Sequence, residues 1–171
     1  MAYKAFLSHS MAAEDLGFVY EVARQAHGSE VTCYIAERDY QLGQSLPDKI
    51  EQNIRDSDCM VVFLTKGGHH SPWVNQEVGF ARACKKLIIP VVESGITPTG
   101  FLVGLEYLQI NRNEPVQAMT ILGKYLAQLK AEKDKNELAT AAVIAGGVIL
   151  LLLLSGGSAQ GGGGTGPTRG I

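Results

Sequence analysis

The chain has 171 residues, enough for one domain of ordinary size and an appendage. With 46% hydrophobic and 19% charged residues the composition is globular, and a net charge of −2 excludes the basic footprint of a nucleic-acid-binding surface. The three cysteines, Cys33, Cys59 and Cys84, have neither the even count of a disulfide framework nor the spacing of a zinc site, so they fit a reducing compartment. Met1-Ala2-Tyr3-Lys4 leads straight into a strand-like run, without the charged and long apolar regions of a signal peptide.

Residues 3–8, YKAFLS, read as a short strand that stops at His9-Ser10. Leu16, Val19, Tyr20, Val22, Ala23 and Ala26 recur at helical spacing over residues 12–26, and Gly28 supplies a stop. Residues 31–35, VTCYI, are a second strand rich in β-branched and aromatic residues. A polar loop, AERDYQLGQSL, covers 36–46. Pro47 suits the first turn of a helix to Ser57 with Ile50 and Ile54 one turn apart. The run at 59–65 is apolar on both faces, as expected for the interior of a parallel sheet.

A helix bearing Trp73 and Glu77 follows, with Lys85-Lys86 suited to its carboxyl end. LIIPVV at 87–92 reads as a fourth strand, although Pro90 argues against its latter half, since proline favours edge strands and bulges. Residues 94–104 are loop-like, EYLQI at 106–110 is a weak fifth strand, and 115–130 is a last helix with Val116, Met119, Leu122, Leu126 and Leu129 on one stripe. Strands alternating with helices predict a five-stranded parallel sheet covered on both faces, an α/β three-layer fold in the flavodoxin-like order with a switch point between the first and third strands. Neither G-x-G-x-x-G nor a P-loop occurs after a strand, so a conventional dinucleotide or P-loop site is not expected.

After residue 130 the composition changes. Residues 131–137, AEKDKNE, read as a charged linker, and 138–154 carry no charge at all. Extended to Ala159, this run is long enough to span a bilayer core of roughly 30 Å. A packing helix in an oligomer is the competing reading, but the run lacks any polar face. The expectation is a single-pass anchor over 138–159, followed by a glycine-rich disordered tail at 160–171. Lys124, Lys130, Lys133 and Lys135 precede the run and only Arg169 follows, which would keep the N-terminal domain cytoplasmic. Without a membrane span the whole chain would be cytoplasmic.

The segment SPWVNQEVGFARACKK carries the sharpest chemical signal. Glu77 lies four positions after Trp73, the only tryptophan, so a helix puts both on one face. An acid beside a large aromatic, next to the carboxyl end of a strand, suits a flat heterocycle joined to a sugar. The bland alternative puts Trp73 in the core and Glu77 in solvent. In this fold the loops after the first three strands share one end of the sheet, bringing together Ser8-His9-Ser10, the loop from Glu37 to Gln44, and Ser71 to Glu77. Gly43 would allow the middle loop a conformation closed to other residues. His69 and His70, adjacent and expected to point in different directions, lack a third ligand, so no metal is expected there.

KAFLSHS, AERDYQLGQSL, DSDCMVVFLT, and SPWVNQEVGFARA followed by LIIPVV together resemble a Toll/interleukin receptor (TIR) domain of the bacterial or archaeal kind, over residues 3–130. The resemblance implies the same five-stranded fold and cleavage of the nicotinamide–ribose bond of NAD, with NAD as substrate and no cofactor. It maps the catalytic acid onto Glu77 and substrate-binding positions onto His9, Ser10, Gln41 and Gly43, with Trp73 as the aromatic platform. It also implies self-association with other TIR domains, a downstream effector, and a role in immune or antiphage defence. The chain departs from some enzymatic members in having no arginine after the first strand. Many TIR domains serve only as assembly modules, so a non-catalytic adaptor is the alternative.

Overall fold

The computed structural model describes residues 2–10, 12–28, 30–36, 43 and 45–135. Among the described residues five strands, β1 (Tyr3–Ser8), β2 (Val31–Tyr34), β3 (Cys59–Leu64), β4 (Leu87–Glu93) and β5 (Leu108–Ile110), alternate with four α-helices, α1 (Ala13–His27), α2 (Leu46–Asp56), α3 (Pro72–Ala83) and α4 (Pro115–Lys135). The sheet is parallel, in the order β2-β1-β3-β4-β5. The chain thus reverses direction across the sheet between β1 and β3, as the alternation of elements predicts.

Side-chain alternation along the central strands builds two cores. Ala5 and Leu7 of β1 join Cys59, Val61 and Phe63 of β3 under α1 and α4. Phe6 joins Met60, Val62 and Leu64 under α2 and α3. Every residue of β3 is buried, which explains its unbroken apolar run. Phe6 and Phe63 are fully enclosed, and each such side chain contributes roughly 1.5–3 kcal/mol by leaving water.

Local chemistry sets the helix starts. The Ser45 and Ser71 hydroxyls accept from the backbone N–H groups of Asp48 and Val74, and Pro47 and Pro72 occupy the first turns of α2 and α3. α1 ends at Gly28, as its sequence suggests.

β4 continues through Pro90 to Glu93. β5 pairs only with Val91–Glu93, so at Pro90 the strand has β3 alone as neighbour, and the missing N–H need not break a ladder there. α4 extends to Lys135, so residues 131–135 are helical where the sequence suggested a linker. Ion pairs explain the extension: Lys130 meets Asp134 at 2.8 Å and Glu30 at 2.9 Å, and Lys133 reaches Asp58 at 2.7 Å. The anchor expected at 138–159 and the glycine-rich tail lie outside the described residues, and among the described residues no helix is long and apolar enough to cross a membrane.

Candidate functional site

All five strands point their carboxyl ends the same way, so the exits of β1 and β3 and the start of α3 meet at one end of the sheet. Ser8, the last residue of β1, has the same parity as Phe6 and therefore faces α3. Its hydroxyl donates to Glu77 Oε2 at 2.5 Å, within the short range of bonds to a carboxylate. Glu77 is only 5% exposed, while Trp73, one helical turn earlier, is 37% exposed. This overturns the bland reading of the pair: the acid is buried and the tryptophan stands at the surface. α3 is amphipathic over Val74, Val78 and Ala81, and Glu77 falls within that buried set rather than opposite it.

Trp73 and Glu77 line an open cleft of about 390 Å³ between α2 and α3. Pro47, Ile50 and Ile54 form its α2 wall, and Phe80 and Gln76 complete the α3 wall. Glu51 adds a second carboxylate to the lining, and the Arg55 guanidinium lies 4.7 Å from the centre of the Phe80 ring. A largely apolar, aromatic cleft with one buried acid suits a planar base attached to a polar sugar.

The other expected site residues are distributed as follows. His9 is buried directly after β1, with Nδ1 2.7 Å from the Ser10 carbonyl oxygen. Ser10 turns away from Glu77, and its hydroxyl donates to Asp15 Oδ2 at 2.5 Å. Gly43 has φ of 81°, the left-handed conformation that favours glycine. Gln41 lies outside the described residues. His69 and His70 do not diverge, contrary to expectation: they occupy a turn, where strand-like alternation does not apply, and their rings lie 3.9 Å apart. Among the described residues no three His, Cys, Asp or Glu side chains group to hold a metal ion.

Sequence reasoning missed a buried polar cluster on the opposite face of the sheet end. Asp15 of α1 accepts from Ser10, from the Thr65 hydroxyl at 2.6 Å and from Arg112 at 3.0 Å. Arg112 also clasps Glu93 through Nε at 3.0 Å and Nη2 at 2.9 Å. That guanidinium holds the Glu93 carboxyl below the usual carboxylate range, aided by the Lys66 backbone N–H, while Glu93 raises Arg112 in return. The only signal in the sequence was the presence of charged residues at the carboxyl ends of apolar strands. Cys33 and Cys59 are free thiols, each pushed up to about 12 by burial, which makes them packing groups rather than nucleophiles.

Among solved structures, the CMP N-glycosidase BcmB of Clostridium botulinum shares the fold at a TM-score of 0.56 and 16% identity, over 71% of this chain and 98% of that one. A metazoan TIR-STING receptor from C. gigas, in complex with 2',3'-cGAMP, matches at 0.53 and 20% identity, over 67% of this chain and 38% of that one. The TIR domains of the activated Roq1 resistosome, which recognises the pathogen effector XopQ, match at 0.50 and 14% identity, over 88% of this chain and 99% of that one. No curated protein sequence matches the chain significantly. These identities speak for the fold alone. The TIR domain profile, however, matches residues 6–122, from β1 into α4, and the chain therefore belongs to the TIR domain family.

Proposed function

We propose that this chain is an N-glycoside-cleaving TIR enzyme whose substrate is NAD, and that Glu77 is its catalytic carboxylate. The observation that carries the reading is the buried Glu77 carboxylate, fixed by Ser8 and lining a cleft with the exposed Trp73. A protein named as a CMP N-glycosidase shares the fold, which supports bond cleavage at an anomeric carbon as chemistry that this architecture accommodates.

Breaking the nicotinamide–ribose bond sends the bonding electron pair to the pyridinium nitrogen and leaves positive charge on the ribose. A carboxylate held close by stabilises that charge and can hold ribose hydroxyls. Nicotinamide departs neutral, so no strong general acid is required. Trp73 offers the flat leaving group a stacking face. Attack by water, which then loses a proton, gives ADP-ribose, and attack by an adenine nitrogen gives a cyclic product. His9, Gln41 and Gly43 are proposed to contact the substrate. Ser10, with its hydroxyl committed to Asp15, supports the site through its backbone. Self-association with other TIR domains is part of the proposal, as is a place in immune or antiphage defence. Two of the fold relatives, by name a receptor and a resistosome, support that setting.

The test is release of free base by concentrated protein, with NAD and CMP assayed in parallel. Nicotinamide release that disappears in Glu77→Gln supports the proposal. Cytosine release without nicotinamide release would keep N-glycoside cleavage and refute NAD. Release of neither base by assembled protein overturns the enzyme reading and leaves the adaptor role.

A further inference from the structure

Asp15 is 1% exposed and serves three partners from three different segments. Two of them, Thr65 and Arg112, lie 50 and 97 positions away. Through Ser10, Thr65 and Arg112, and through Arg112 to Glu93, this one carboxylate ties together the exits of β1, β3, β4 and β5. The Lys66 backbone N–H closes the circuit onto Glu93 at 2.9 Å.

The three residues that leave β1 are consequently held from two sides. Ser8 is bonded to Glu77 on the α3 face, and Ser10 is bonded to Asp15 on the α1 face. A third constraint comes from the turn that leads into α3: a Cβ on Gly68 would lie 2.6 Å from the Ser10 Cβ. The β3–α3 turn therefore packs directly on the β1 exit, and Asp15 grips both of them through Thr65 and Ser10.

We infer that Asp15 is a positioning residue for the Glu77 carboxylate. By fixing the exits of β1 and β3 together, it sets where Ser8 meets Glu77 and where α3 begins. Both oxygens of Asp15 are engaged, one by two hydroxyls and the other by Arg112, so the group is built for geometry and has no oxygen directed at the cleft. Arg112 acts through it, from a side chain 31% exposed beyond the end of β5.

The kinetic part of the test rests on the proposed role of Glu77, and the exchange part does not. Asp15→Ala removes the acceptor for both hydroxyls. Asp15→Asn keeps the shape: the amide oxygen can face Arg112 while its NH2 donates to hydroxyls that turn to accept. On the folded fraction, kcat for NAD cleavage should fall at least about tenfold in Asp15→Ala with KM within about twofold, and Asp15→Asn should recover most of it. Amide exchange of residues 7–10 and 65–71 should be at least about tenfold faster in Asp15→Ala, with the centres of β3 and β4 still protected. Unchanged kcat, or parent-like exchange in those segments, overturns the inference. Equal acceleration throughout the sheet also overturns it, because Asp15 would then be a general stabiliser. Faster local exchange in a protein whose parent cleaves no NAD would sink the NAD reading and leave the positioning intact. Where Asp15→Ala fails to fold, Arg112→Gln loosens the same segments from the outer end and is read by the same outcomes.

Discussion

Ser8 and Glu77, 69 positions apart, meet in a 2.5 Å hydrogen bond at the carboxyl end of the sheet. The bond joins the last residue of a central strand to a helix that packs on it. It engages the Oε2 atom of the carboxylate. Replacing Glu77 with Gln keeps the volume and removes the charge, so NAD cleavage should fall about 10²-fold or more with the fold retained. Replacing Ser8 with Ala should lower activity less, because the Glu77 charge stays in place, and should cost about 1.5–3 kcal/mol of stability from the lost bond to a charged group. Nicotinamide release measured beside a circular dichroism spectrum checks both. Parent-like turnover by folded Glu77→Gln would remove Glu77 from the chemistry.

Trp73 should behave as a site residue rather than a core residue. At 37% exposure it lies outside the apolar cluster beneath α2 and α3. Trp73→Ala should therefore cost only about 1 kcal/mol of stability, while the loss of a stacking face raises KM for NAD. A thermal melt and a Michaelis curve on the same sample separate the two effects. A large drop in melting temperature with unchanged KM would return Trp73 to a structural role.

The Trp73–Glu77 pairing was legible because an i,i+4 spacing on a helix needs no tertiary information. Which of the two is buried was not, since that depends on how α3 rolls onto β1 and β3. The strand order followed from the alternation of apolar runs and helical stripes, and even β4 could be read despite Pro90, though its continuation past the proline depended on how short β5 is. Most of the polar stretch at 36–46 lies outside the described residues, Leu46 opens α2 instead of closing the loop, and Gly43 takes a left-handed φ. The Asp15–Arg112–Glu93 cluster could not be assembled from the sequence. Its members lie far apart in sequence and look like ordinary surface charges until the sheet brings its strand ends together. The extension of α4 was missed for a related reason: the charges of residues 131–135 suggest a solvated linker until Glu30 and Asp58 are seen opposite them.

Stability should depend on acid through Glu93. Arg112 and the Lys66 N–H hold its folded-state carboxyl below the unfolded value near 4.5. A depressed carboxylate contributes stability that is present above the unfolded value and is lost as pH falls through the folded one. Glu93→Gln should therefore be less stable than the parent near neutrality, by about 1–3 kcal/mol given the partial exposure of Arg112. The gap should close progressively below about pH 4.5. Urea unfolding of both proteins across that range reads the difference directly. A gap that is constant with pH would mean that Glu93 contributes by packing and not by charge.

Gly68 offers a test of the contact between the two loops that frame the site. It has no positive φ to forbid a side chain, so any penalty comes from space alone. An added Cβ would meet the Ser10 Cβ at 2.6 Å, Ser10 Oγ at 2.9 Å and Thr65 Oγ1 at 3.0 Å. None of these is the loose end of a flexible side chain, and both hydroxyls are already bonded to Asp15. Gly68→Ala should therefore push the β1 exit away from the β3–α3 turn, at about 1–3 kcal/mol in stability. Because the same movement displaces Ser8 from Glu77, activity per folded molecule should fall as well. Gly95→Ala provides the contrast. Its φ of 90° strains any side chain, but nothing lies within 4 Å of the added carbon. It should lower stability by about 1–2 kcal/mol and leave activity per folded molecule unchanged. Melting curves and nicotinamide release on both variants decide the matter, and equal specific activity in the two would mean that the contact between Gly68 and Ser10 holds the fold without shaping the site.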